Sequence, residues 1–261
     1  MTLAFTLTLV GLGFVGAFVS GLVGIGGAIV VIPLLFYVPP LLGVGSLDIK
    51  VVAGVTMAAV LAASLVGAWT HGRAAMVHRP LALIGGATMG LGSLVGAVAS
   101  RYVSGRMLLA VFAVMSTVAL PLMLVPPARG AVGASERTVP FNRVAALACP
   151  GLIGLMAGLV GAGGGFLLAP VLMGVMRIPV RVSIGTSLAI TVVSALAGFF
   201  GKALTGQVPF WPAVAVVLGS LGGAPLGARV SRIAPVSVLR GVLAVLIALI
   251  AVRVWADVLT H

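Results

Sequence analysis

The chain has 261 residues, of which 61% are hydrophobic and only 7% are charged. A soluble domain carries roughly 25% charged residues, so this composition excludes a water-soluble globular protein. The net charge of +12 would suggest a nucleic-acid partner in a soluble chain. Here the basic residues lie in short loops between apolar runs, as the positive-inside bias of membrane proteins dictates. The expected surroundings are the lipid bilayer, with no nucleic acid.

A spanning helix needs about 20 apolar residues. Apolar runs fall at 3–23, 28–42, 51–70, 81–100, 106–125, 143–160, 165–176, 183–201, 210–228 and 236–256. The first has no basic stretch before it and reads as a retained span, not a cleaved signal. The second is short and follows Gly21-Leu-Val-Gly24-Ile-Gly26-Gly27-Ala28, with Pro33 inside it. The third opens on Gly54-Val-Thr56. The fourth carries Gly92, Gly96 and Ser100 at four-residue spacing, which lets membrane helices approach closely. After the fifth comes the most polar stretch of the chain, from Pro126 to Asn142, the expected linker.

The sixth run holds the single Cys149, so the chain can form no internal disulfide and no cysteine-pair metal site. The seventh is short and follows Gly158-Leu-Val-Gly161-Ala-Gly163-Gly164-Gly165, with Pro170 inside it. The eighth opens on Gly185-Thr-Ser187, and the ninth repeats the small-residue spacing at Gly219, Gly223 and Gly227. Trp69, Trp211 and Trp255 fall near segment ends, where interfacial aromatic belts belong. The methionines are scattered as gap-fillers.

The order of these features duplicates. The two glycine loops lie 137 positions apart. Beyond them the offset settles at 131, pairing Gly54 with Gly185, Thr56 with Ser187, Gly92 with Gly223, Gly96 with Gly227, Ser100 with Ser231 and Arg101 with Arg232. The expected organisation is a first half at 1–125, a linker at 126–142 and a second half at 143–261. Five segments per half is an odd number, so the second half enters the membrane from the opposite side. The expected fold is therefore an all-α polytopic membrane protein of two inverted repeats with glycine-rich helix breaks.

Enzyme chemistry finds little material. Asp48, Glu136 and Asp257 are the only acids, and His71, His78 and His261 lack metal-site spacing. No cofactor and no metal are expected. Cation transporters place Asp or Glu at mid-membrane, and this chain places none there. Backbone N–H groups at helix N-termini favour anions instead. Both glycine loops precede a short segment, so Gly26, Gly27 and Ala28, and Gly163, Gly164 and Gly165, are expected to open helices near the midplane. The four glycines among positions 161–165 would each cost about 1 kcal/mol against alanine inside a helix, which argues for a break over a packing face.

The available hydroxyls near the loops are Thr56, Ser64, Thr186, Ser187, Thr191 and Ser194. Mid-helix Ser and Thr usually bond their own backbone; Thr56 and Ser187 stand out by occupying equivalent positions after a glycine. Lys202 and His71 occupy matching aligned places just after a span; either could attract an anion at the vestibule, but a snorkelling anchor is the expected role.

The loops Gly24-Ile-Gly26-Gly27-Ala28 and Gly161-Ala-Gly163-Gly164-Gly165, with their trailing prolines, resemble the sulfite exporter TauE/SafE family. The length, two-halved layout and central linker resemble it over nearly the whole chain. The resemblance implies movement of small sulfur-containing anions such as sulfite, sulfoacetate or thiosulfate across the bacterial inner membrane. It also carries Gly24, Gly26, Gly27, Gly161, Gly163, Gly164 and Gly165 over as substrate-binding residues. The first loop departs by having Ala28 where the second has Gly165. The competing reading is a non-transporting membrane assembly or anchoring subunit, and two copies of the chain could associate as a homodimer.

Loop charges orient the chain. Lys50, Arg101, Arg106, Lys202 and Arg253 are assigned to one side, and ten arginines, Arg73 and Arg79 among them, to the other. The richer side is expected to be cytoplasmic, with both termini outside. A C-terminal tag is then accessible to a membrane-impermeant label in intact spheroplasts; a tag labelled only after permeabilisation reverses the orientation.

Overall fold

The computed structural model describes residues 2–23, 28–71, 77–124, 143–231 and 236–260. Gly24, Gly26, Gly27 and the 126–142 linker lie outside them. The described residues form ten helices and no strand. They are α1 (Leu3–Val23), α2 (Ala28–Leu41), α3 (Ile49–His71), α4 (Arg79–Ala99), α5 (Gly105–Leu124), α6 (Arg143–Val160), α7 (Gly165–Gly174), α8 (Val180–Leu204), α9 (Phe210–Ser231) and α10 (Val236–Thr260). Each matches one apolar run. α3, α8 and α10 continue past their runs by a few residues, because a helix leaving lipid still satisfies its own backbone groups.

Among the described residues, six helices are long and apolar enough to cross a membrane. The bundle's outward faces carry Leu3, Leu83, Leu91, Leu152, Leu218 and Leu249, all exposed, as lipid-facing surfaces require. Trp211 is exposed in the same way, whereas Trp255 donates its indole N–H to Thr117 Oγ1 at 3.0 Å.

α7 is different. Ten residues rise only about 15 Å, half of the roughly 30 Å hydrocarbon core. It is apolar on every face and buried from Gly165 to Leu172. Such a helix begins inside protein. α2, with 14 residues and Pro33, Pro39 and Pro40 inside it, is likewise short and buried along most of its length.

The pairings between helices repeat when the first five are exchanged with the last five. α1 packs on α9 as α6 packs on α4, and α3 on α9 as α8 on α4; α5 pairs with α10, and α3 with α8. The contacts keep the offsets of the sequence. A Cβ on Gly92 would strike the carbonyl of Gly151, and one on Gly223 that of Phe14. Gly96 likewise rests on the carbonyl of Leu155, and Gly227 on that of Phe18. Gly158 rests on Ser93 as Gly21 rests on Ala224. The small-residue rows are therefore packing seams, as their spacing predicts. α3 and α8 run in opposite senses, since Gly54 meets Gln207 while Met57 meets Gly198.

The five basic residues assigned to one side gather at one end of the bundle. Lys50 Nζ donates to the carbonyl of Arg101 at 2.8 Å, and the Arg106 guanidinium donates to that of Val258 at 2.8 and 3.1 Å. Arg253 lies 3.6 Å from Asp257 and 5.3 Å above the Tyr37 ring. Lys202 reaches Ser100, next to Arg101.

Gly96→Val drives a side chain into backbone that cannot yield, and is expected to cost about 3 kcal/mol or more. Gly11, with nothing within 4 Å of a Cβ, is the control: Gly11→Ala is expected to leave the thermal midpoint unchanged or slightly raised. Thermal scans of the detergent-solubilised protein read both.

Candidate functional site

The 161–164 loop joins α6 to α7 by three left-handed glycines. Gly161 has φ +81°, Gly163 +62° and Gly164 +75°, a region side chains resist. α6 closes when the N–H groups of Gly161 and Ala162 both donate to the Ala157 carbonyl, at 2.8 and 2.9 Å. The left-handed Gly161 is the usual device for such an ending. The chain then turns at once into α7, whose N-cap is Gly164, with no side chain capping it. The Gly164 carbonyl accepts from Leu167 and Leu168 at 3.2 and 3.0 Å.

The N–H groups of Gly163, Gly164, Gly165 and Phe166 donate to no acceptor among the described residues. All four residues are buried. A buried N–H without a partner costs roughly 1–3 kcal/mol, so four in succession form a concentrated donor set. The dipole of α7 adds partial positive charge at the same point.

Three helices wall the loop closely. On α3, Gly161 rests on Ala53 and Gly163 on Val60. Thr56 lies between these on the same helical face, since positions three and four apart align. On α4, Gly164 meets Met89, and Ser93 lies one turn further along. On α8, Gly163 meets Ala195, the neighbour of Ser194.

The hydroxyls of Thr56, Ser93 and Ser194 are buried and have no hydrogen-bond partner. The other hydroxyls considered from the sequence are engaged. Ser187 donates to the Ile184 carbonyl at 3.0 Å, Thr191 to that of Ser187 at 2.7 Å and Ser64 to that of Leu61 at 3.0 Å. Thr186 accepts the His78 backbone N–H at 3.0 Å. Thr56 and Ser187, equivalent in sequence, are thus in different states. Ala28 opens α2 and is fully buried, while Gly24, Gly26 and Gly27 lie outside the described residues. Ser93 escaped the sequence reading because it follows Gly92 in a row that reads as packing; only its neighbours in space set it apart.

No carboxylate approaches the loop among the described residues. Asp48 accepts from its neighbour Lys50 N at 2.8 Å, and Asp257 pairs with Arg253. Nor do three or more His, Cys, Asp or Glu residues gather into a metal site among them. The groove between α1 and α9, lined by Thr6, Val10, Trp211, Val214, Ala215 and Leu218, has no charged residue in its lining. Lys202 departs from expectation. It does not snorkel outward but is fully buried, donating to Ser100 Oγ at 2.6 Å, the Leu159 carbonyl at 3.0 Å and Gln207 Oε1 at 3.1 Å. Acceptors from α4, α6 and the turn after α8 draw it in.

The family described as sulfite exporter TauE/SafE matches residues 9–254. The chain belongs to the sulfite exporter TauE/SafE family. It is 27% identical over 239 residues to the "Probable membrane transporter protein YunE" of Bacillus subtilis, covering 86% of this chain and 88% of that protein. It is 29% identical over 227 residues to a "Probable membrane transporter protein" of Xylella fastidiosa, with 87% and 85% covered. A third relative, "Probable membrane transporter protein YdhB" of Bacillus subtilis, is 26% identical over 234 residues. No solved structure matches. As a TauE/SafE protein the chain is a multi-pass membrane transporter, and the glycine break at 161–164 lies within the matched region.

Thr56→Val removes an unpartnered buried hydroxyl while keeping the side chain's shape. It is expected to leave the thermal midpoint unchanged or raise it by up to about 1 kcal/mol equivalent. Gly164→Ala, which meets Met89 at a left-handed φ, is expected to lower it in the same assay.

Proposed function

We propose that this TauE/SafE transporter exports small sulfur-containing oxyanions, such as sulfite, sulfoacetate or thiosulfate, across the bacterial inner membrane. One observation carries the reading. Four buried N–H groups at the start of α7 have no acceptor among the described residues, and the helices walling them carry unpartnered hydroxyls at Thr56, Ser93 and Ser194. Every such group can donate, and no carboxylate competes. A tetrahedral or pyramidal oxyanion is the complement of that set.

In this reading the 161–165 loop and Thr56 hold the anion from one side. By the sequence repeat, Gly24, Gly26, Gly27 and Ala28 supply the opposing helix start, with Ser187 in the place equivalent to Thr56. The two halves act as an inverted repeat that rocks around the anion, opening it to one face and then the other. An inside-negative potential favours anion exit by about 2.3 kcal/mol per charge per 100 mV, so export needs no further driving ion. The protein's work is desolvation and passage, not bond chemistry. Both termini lie outside.

The test is flux into liposomes reconstituted with the purified protein, using sulfite, sulfoacetate, thiosulfate and sulfate. Saturable flux of at least one sulfur oxyanion, with no cation flux, is expected. Gly163→Leu, which fills the loop against Val60 and Ala195, is expected to abolish it. Absence of flux for every anion, or intact flux in folded Gly163→Leu protein, overturns the reading.

A further inference from the structure

Lys202 is a buried amine in the last turn of α8. Its three partners, Ser100 Oγ, the Leu159 carbonyl and Gln207 Oε1, all accept and are all neutral. The surrounding bonds are consistent with a donor at the centre. Ser100 Oγ is 2.6 Å from the Ala97 carbonyl, and Gln207 Nε2 donates to Thr205 Oγ1 at 2.7 Å. Three N–H donors meet three acceptors, as a protonated lysine requires.

Among the described residues no carboxylate balances this charge, since Asp48 and Asp257 are engaged elsewhere. A buried unpaired charge costs several kcal/mol. Tying α4, α6 and the 205–207 turn together would need only a neutral donor of similar length. The charge itself therefore asks for a use.

Its place supplies one. Leu159 lies in the last turn of α6, two residues before Gly161, so the ammonium rests on the helix end from which the glycine loop departs. On the other side, Gln207 lies against Gly54 of α3, next to the Ala53 carbonyl that Gly161 packs on. Lys202 is thus joined to the loop through two short structural links.

Resting on the anion reading above, we infer that Lys202 is a positioning residue that supplies the fixed countercharge of the anion path: it holds the α6 end that launches the 161–164 loop and sets the positive potential an entering oxyanion meets. A helix start offers only about half a charge, and Lys202 in its protonated form would add a whole one. Its influence should be greatest for a dianion.

Two substitutions separate charge from scaffolding. Lys202→Gln keeps donors and removes the charge. Ser100→Asp keeps the lysine and neutralises it with a carboxylate at the position of its shortest partner. The measurement is KM and maximal rate of thiosulfate flux in liposomes, beside the thermal midpoint of each variant. Each change is expected to raise KM on the order of tenfold, with the maximal rate altered less than about threefold. Exchanging the pair, as Ser100→Lys with Lys202→Ser, is expected to restore KM toward that of the unaltered protein. An unchanged KM in folded Ser100→Asp protein overturns the inference, even if Lys202→Gln fails to fold. An unaltered protein that carries no anion fails the functional reading instead, so the two failures are told apart.

Discussion

Lipid offers no hydrogen bonds, so every backbone N–H and C=O at membrane depth must be satisfied within the protein or shielded by it. The start of α7 breaks that rule locally, with four successive N–H groups left without an acceptor among the described residues. It persists because α3, α4, α6 and α8 close around it. That closure depends on glycine: Gly92, Gly96, Gly154 and Gly158 bring the backbones of α4 and α6 into contact, and Gly161 sits on the Ala53 carbonyl. A methyl group at any of these positions would part the helices and open the loop to lipid or water. The packing seam and the donor site are two consequences of one close approach.

Electrostatics follows from the same enclosure. In a low-dielectric interior an oriented N–H is worth far more than in water, and so is an opposing charge. Carboxylates are absent from the neighbourhood of the loop among the described residues, while the Lys202 amine is held on the Leu159 carbonyl at the end of α6. The sign of the site is thus set both by what surrounds it and by what is kept away. Family membership makes the chain a membrane transporter, and this distribution is what supports the anionic cargo proposed for it.

Much of the fold was legible in the residues. Ten apolar runs became ten helices because a run of that length in lipid has no other way to satisfy its backbone. The small-residue rows were legible as seams because spacing four apart places them on one face. Site detail was less legible. Thr56, Ser187 and Thr191 look alike in sequence, yet Ser187 and Thr191 bond to carbonyls within α8 while Thr56 faces the loop. Rotamer and neighbour decide that, not residue type. Lys202 read as an anchor because a lysine at the end of a span normally reaches the interface. It turns inward because Ser100 and the Leu159 carbonyl, 102 and 43 residues distant, converge on it.

The duplication is not kept in its chemistry. Ser93 of the first half corresponds to Ala224 of the second, and Val60, on which Gly163 rests, corresponds to Thr191. Lys202 corresponds to His71, and Gly165 to Ala28. Packing contacts at the glycines, by contrast, keep their offsets between the halves. Backbone packing at the glycines is therefore what the two halves share. The side chains are free to diverge once that frame exists. In this chain the divergence gathers unpartnered hydroxyls and a buried lysine around the loop of the second half. The asymmetry between the halves thus lies in side chains placed on one packing plan, without requiring two different folds.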